Sequence, residues 1–202
     1  MTVYVESNFV LELALEQEQS QSCEALATLA GAGGFRLAIP AYSLAEPNET
    51  LHRHGAERKA MTAALQKTLR QIGRSKPHAA DATRLSDRVS GLIAQSVADE
   101  RRRLHQIRRR LVTAADVLPL TDEVLLGAQR TELETSLSPQ DALVFVSVLH
   151  DLTRQPPAPS LLLTRDKGFD LPDVRVRLTE LGCDVIGSYE HGLARVRAAY
   201  EL

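Results

Sequence analysis

Glu6, Glu46, Asp141, Asp166 and Asp170 are the residues of this 202-residue chain whose types and spacing could do chemistry. Glu6 ends a short apolar run, Val3-Tyr4-Val5, and is followed at once by a hydroxyl and an amide, Ser7-Asn8. Glu46 closes the stretch IPAYSLAE, and Asp141 opens an apolar helical pattern in LSPQDALVF. Asp166 follows a continuous apolar run in LLLTRDKGFD, with Asp170 four residues on. Carboxylates gathered in one crevice repel: two charges ~4 Å apart cost about 4 kcal/mol at an effective dielectric of ~20. Such a set takes up protons or a cation. There is no Cys/His set with zinc spacing, and an all-oxygen donor set suits Mg²⁺ or Mn²⁺. That ion chemistry activates water and stabilises in-line displacement at phosphorus.

The elements that must position these acids alternate between strand and helix. Val3 to Val5, Arg36 to Ile39, Val117 to Leu120, Leu161 to Thr164 and Asp184 to Ile186 have strand character. Helical spacing runs from Asn8 to about Ala30, through Glu46 after Pro40, and over Asp122–Leu133, Pro139–Leu152 and Val174–Leu181. A proline-rich loop, Gln155 to Pro159, precedes the fourth strand. Strands separated by helices predict an α/β layer fold with a parallel sheet, whose ligand sites lie beyond the carboxyl ends of the strands. Taken singly, each acid also has a structural use. Ser138-Pro139-Gln140-Asp141 is a helix start with a hydroxyl cap, proline at the first position and an acid at the third. Asp166 suits a turn or cap, and Glu46 a solvated helix face. The joint placement carries the chemical reading.

The ordered set of a strand with ESN, then IPAYSLAE, then LSPQDALVFVSVL, then LLLTRDKGFD resembles the PIN-domain nucleases over roughly residues 1–50 and 115–187. The resemblance implies a three-layer α/β/α fold with a central parallel sheet; the chain reads as one domain over 1–202, with 51–112 an inserted helical arm that departs from the compact members of the family. The resemblance also implies Mg²⁺- or Mn²⁺-dependent endoribonuclease cleavage of RNA. Glu6, Glu46, Asp141 and Asp166 would be catalytic and metal-binding, Asp170 an accessory metal acid, and Ser7 and Asn8 support for the site. The family's opening acid is usually Asp, so Glu6 keeps the charge on an arm one methylene longer. Compact members resemble the toxins of toxin–antitoxin pairs, which adds an antitoxin-like protein to the expected partners.

The arm has its own chemistry. From His52 to Asp116 there are 15 Lys/Arg against 6 Asp/Glu, a net of +9, while the remainder has 9 against 20, a net of −11. Residues 51–112 have helical character throughout, broken at Gly73-Arg74-Ser75-Lys76-Pro77. In RRRLHQIRRRL, residues 101 to 111, Arg101/Arg108 and Arg102/Arg109 stack seven apart, opposite Leu104, Ile107 and Leu111. These four arginines are candidate phosphate contacts; the alternative is a solvated face whose arginines pair with acids of the body. With no Trp and few aromatic residues, stacking platforms for single-stranded bases are not evident.

No apolar run reaches ~18 residues, and Cys23 and Cys183 make neither a metal pair nor a disulfide framework. A cytoplasmic protein without membrane segments is expected. Three rival functions remain in view. One is a non-catalytic RNA-binding PIN-like protein. A second, a phosphatase with an aspartyl nucleophile, needs a second Asp two residues on, which Glu6-Ser7-Asn8 lacks. The third is a structural protein that forms a homodimer through the arm.

Overall fold

The structure is a computed structural model that describes residues 1–156 and 158–200. The chain divides into two compact units: Met1–Pro47 with the chain from Leu104 onward, and Asn48–Arg103.

The first unit is built on five parallel strands: β1 (Thr2–Val5), β2 (Arg36–Pro40), β3 (Asp116–Leu118), β4 (Ser160–Leu163) and β5 (Cys183–Ile186). Their order is β3-β2-β1-β4-β5, so the chain leaves β1 toward one edge and later returns to its other side. The helices between strands are α1 (Ser7–Leu15), α2 (Ser20–Gly31), α3 (Ala41–Ala45), α6 (Asp122–Glu134), α7 (Pro139–Arg154) and α8 (Pro172–Glu180); α9 (Tyr189–Tyr200) follows β5. The remaining two, α4 (Pro47–Ile72) and α5 (Ala79–Ala114), supply the second unit.

β1 and β4 are buried along their whole length, as strands covered on both faces must be. Tyr4, Ala38 and Leu162 share one rung and join Phe145, Val148, Val174 and Leu178 in a single core under α7 and α8. Val3, Leu37 and Leu161 form the preceding rung, so their side chains point to the opposite face. That face meets α9, where Gly192 lies against Leu163. Phe9 of α1 meets Tyr189 of α9 edge to face, with centroids 5.5 Å apart. The architecture is therefore α/β, with a five-stranded all-parallel sheet and helices on both sides.

The Gly192 contact is tight enough to predict its effect. A β-carbon there would stand 2.5 Å from Leu163 Cδ1. Gly192→Ala should therefore cost about 1–3 kcal/mol through overpacking, several degrees of melting temperature. Gly91, in mid-helix with nothing within 4 Å of a built β-carbon, is the control. Gly91→Ala should be neutral or stabilising by up to about 1 kcal/mol. Thermal melts of the two variants check the pair.

One expected helix, Asn8 to about Ala30, is in fact two. Glu16 adopts a left-handed conformation, φ 53°, and ends α1. The cause lies in Glu12, buried to 1% exposure. Its Oε2 accepts from the Gln19 backbone N–H at 2.9 Å, and its Oε1 takes Arg165. Gln19 in turn accepts from the Tyr189 N–H at 2.7 Å and so caps α9. The third strand also ends earlier than expected, at Leu118, because Pro119 has no N–H to continue a ladder. Of the proline-rich loop, Pro157 lies outside the described residues.

The second unit holds the residue 48–72 part of α4 and the 79–103 part of α5, joined by a short turn with a 3₁₀ segment at Lys76–His78. The helices run antiparallel: Arg58 pairs with Glu100 at 2.7 Å, and Gln66 donates to Ser90 at 2.8 Å.

Candidate functional site

The sheet register places the first acid. Val5 of β1 stands beside Leu163 of β4, so the next residues of each strand, Glu6 and Thr164, are neighbours at the carboxyl edge. This is where strand order reverses about β1, the position at which open α/β sheets hold ligands. Glu6 is the N-cap of α1, its Oε2 accepting from the Asn8 backbone N–H at 2.7 Å. Tyr189 of α9 donates its hydroxyl to Glu6 Oε1 at 3.3 Å, and the Thr164 side chain lies close enough to lower the pKa of the same carboxylate. Glu6 is 4% exposed. Burial pushes its pKa up to about 7; the charge of Asp166 adds to the rise, while Asn8, Thr164 and Tyr189 oppose it. The Tyr189 hydroxyl is also raised well above its usual value, by burial first and by Glu6 second.

Asp166 follows β4 through a turn held by Thr164, whose Oγ1 accepts from the Asp166 N–H at 2.9 Å. Asp166 Oδ1 accepts from the Gly168 N–H at 2.7 Å. Asp141 sits in the first turn of α7, where Ser138 caps the helix. The Ser138 hydroxyl donates to Asp141 Oδ2 at 2.6 Å and accepts from the Asp141 N–H at 3.1 Å. Burial, then the charge of Asp166, raises the Asp141 pKa against the opposing Ser138 bonds. Gly168 lies between the two acids. A β-carbon there would be 3.2 Å from Asp166 Oδ1 and 3.6 Å from Asp141 Oδ2. Leu137 Cδ2 would be 3.4 Å away as well, so only a glycine fits without displacing a neighbour.

Glu46 caps the C-terminus of α3 and accepts a short hydrogen bond from the Ser7 hydroxyl. Ser7 therefore ties Glu46 to the tip of β1, and Asn8 acts through its backbone N–H. Glu6, Asp141 and Asp166 are thus linked by their mutual fields, and Glu46 is tied in through Ser7. Asp170 is turned elsewhere: it is largely exposed and pairs with Arg175 at 3.1 Å. Among the described residues, no three His, Cys, Asp or Glu side chains are grouped to hold a metal ion as they stand.

Thr164, Tyr189 and the Glu12–Arg165 pair were not singled out from the sequence. Thr164 could have been found from strand register; Tyr189 is more than 180 residues from Glu6 and has no local signal.

Of the candidate phosphate contacts, Arg101, Arg102 and Arg109 are exposed and Arg108 is half-buried. Arg102 is paired with Asp99 at 2.7 Å, whereas Arg101, Arg108 and Arg109 make no ion pair among the described residues. The neighbouring Arg110 forms a two-pronged pair with Glu24, at 2.7 and 2.8 Å, so the arginine face is in part a structural one. No helix among the described residues is long and apolar enough to cross a membrane. Comparison with protein-family models, curated proteins and solved structures gives no match.

Proposed function

We propose that the crevice at the carboxyl ends of β1 and β4 is the site of a divalent-metal-dependent endoribonuclease of PIN type. The observation that carries this reading is the placement of Glu6 and Asp166 just past the ends of β1 and β4, where the strand order reverses, with Asp166 raising the pKa values of both Glu6 and Asp141. Burial and mutual repulsion make the fully ionised set costly, and a hard divalent cation relieves that cost. The donors are all oxygen, and Asp141 and Asp166 both approach Gly168. Glu6, Glu46, Asp141 and Asp166 would hold Mg²⁺ or Mn²⁺, directly or through water. The bound ion supplies an activated water and charge neutralisation at phosphorus.

The chain's own groups do the positioning. Ser138 orients Asp141 and Thr164 fixes the Asp166 turn. Ser7 holds Glu46, and Asn8 and Tyr189 hold the two oxygens of Glu6. The PIN-like three-layer arrangement, an RNA substrate, an antitoxin-like protein partner and a cytoplasmic location belong to the same reading.

Incubation of mixed RNA with Mg²⁺, Mn²⁺ or a chelator tests it. Cleavage in metal and none in chelator is the expected result; no cleavage in any condition would sink the reading. The enclosure of Glu6 favours one alternative, a PIN-like protein that binds RNA without cutting it, because both its oxygens already have partners. Retained RNA binding with no metal-dependent cleavage selects that alternative.

The arginine face yields a separate expectation. RNA binding should weaken steeply with salt, by about 0.7 log units per phosphate contact for single strands. Replacing Arg101, Arg102, Arg108 and Arg109 by Gln should flatten the slope by roughly one to three units. Binding measured across a salt series, beside the melting curve of the same variant, checks it. An unchanged slope with a lowered melting temperature would make the face structural.

A further inference from the structure

The helical unit Asn48–Arg103 has little core of its own. Its buried apolar side chains are Leu51, Leu69 and Ala82. Two helices with so few buried groups leave apolar surface for something else to cover. Between α4 and α5 lies an open groove of about 660 Å³, floored by small and branched residues that include Gly55, Ala63, Ala94 and Val97. His52, Lys59 and Arg101 are its charged and titratable lining groups, and no acid lines it. On α4 it extends from His52 to Gln66, about 21 Å at 1.5 Å per residue. The groove thus fits about four turns of an apolar helix with acidic flanks.

Such a helix exists on this chain. α6 spans 13 residues, about 20 Å. Val124, Ala128 and Thr131 take its buried face. Leu126 and Leu133, seven apart and so on one face, are 58% and 89% exposed. Asp122 and Glu132 flank them, with Glu123 beside His150 at 3.1 Å and Glu134 paired with Arg177 at 2.8 Å, against the single cation of the helix, Arg130.

We propose that α6 of one copy of this chain seats in the α4–α5 groove of a second copy, its leucines on the apolar floor and its acids toward Lys59, His52 and Arg101. Length, apolar pattern and charge sign all match. Two hairpins facing each other would match worse, because residues 48–103 carry 12 Lys/Arg against 6 Asp/Glu. RNA would also match worse, because phosphates gain nothing from an alanine and valine floor. The contact joins unlike surfaces, so each copy brings both a groove and an α6.

That property defines the experiment. Leu126→Glu with Leu133→Glu removes the stripe. Ala63→Glu with Ala94→Glu fills and charges the groove at exposed alanines, where folding is not at stake. Circular dichroism confirms that both double variants fold. In sedimentation of the full chain, the wild-type mass should rise above that of the monomer with concentration, and less so at high salt. Each double variant alone should associate at least about tenfold more weakly. An equimolar mixture of the two variants, differently tagged, should re-form a complex, since each retains the surface the other lost. A wild type that stays monomeric at every soluble concentration overturns the proposal. So does a mixture that fails to recombine, or an α6 variant that associates like the wild type, which would point to hairpin against hairpin. A monomeric wild type whose oligouridine binding is lost only in the groove variant would assign the groove to RNA.

Discussion

Asp141→Asn should abolish metal-dependent RNA cleavage, by about a hundredfold or more, while leaving the protein as stable as the parent or slightly more so. The two parts of the expectation have different origins. An Asn oxygen can still accept the Ser138 hydroxyl now bonded to Asp141 Oδ2, so the local hydrogen bonding at the helix start survives. The charge does not survive. A carboxylate whose pKa is raised by burial and by Asp166 is an unfavourable anion in the metal-free chain, so its loss relieves repulsion. The same lost charge removes one of the hard donors the ion needs. Even outer-shell groups around a metal are worth about 10–100-fold, and a ligand should reach at least the top of that range. Cleavage assays in Mn²⁺ beside thermal melts separate the two parts. A variant that cuts as well as the parent would leave Asp141 a helix cap and nothing more. Glu6→Asp is the companion, with cleavage retained or raised, since it restores the acid that is commoner in the family the sequence resembles.

What the sequence made legible follows from how local each signal is. Continuous apolar runs mark β1, β2 and β4 because both faces of those strands are covered. The Ser138-Pro139-Gln140-Asp141 start is visible because capping is a contact within four residues. The acids at these boundaries could therefore be placed on elements before any tertiary contact was known. What escaped is long-range. The break between α1 and α2 depends on a buried Glu12 that reaches Gln19 and Arg165, and helical periodicity cannot register it. Tyr189 reaches Glu6 only because α9 folds back over the carboxyl end of β4. Asp170, placed by pattern beside Asp166, pairs instead with Arg175, a helical residue five positions on. The arginine repeat left open whether its arginines meet phosphate or pair with acids; which of them would do the latter, Arg110 with Glu24 and Arg102 with Asp99, the repeat itself does not tell.

The sheet, the caps and the charge distribution combine into one physical picture of the acidic edge. Parallel register brings Glu6 beside Thr164, and the Thr164 turn brings Asp166 within the field of both Glu6 and Asp141. Fold stability and site chemistry therefore oppose each other there. The same burial that holds Glu6 in place makes its charged form expensive.

This opposition sets the second large effect. The metal-free protein should lose stability as pH rises between about 4.5 and 7, and Glu6→Gln should remove most of that loss. The ordinary Glu value is 4.5, and burial in the folded chain lifts it to about 7. Below pH 4.5 both folded and unfolded chains hold the proton, so the stability is fully present. Between the two values the unfolded chain releases its proton while the folded chain keeps it, so each rise in pH favours unfolding. Above pH 7 the contribution is gone. The gap corresponds to about 3 kcal/mol. For a chain of this length that is roughly 6–12 °C of melting temperature between about pH 4.5 and pH 8. Asp141, shifted in the same direction, adds to it. Gln at position 6 keeps an acceptor for the Asn8 N–H and has no proton to lose, so its melting curve should be flatter and its value at about pH 8 higher than wild type. Excess Mn²⁺ should close that difference by raising the wild type, because binding to the folded state alone adds about 2.7 kcal/mol at a hundredfold excess over Kd. The variant, with one donor removed, should gain less. Melting temperatures of both proteins across a pH series, in Mn²⁺ and in chelator, give the answer. Identical slopes for wild type and Glu6→Gln would mean that Glu6 is already ionised in the folded chain and that its enclosure costs nothing.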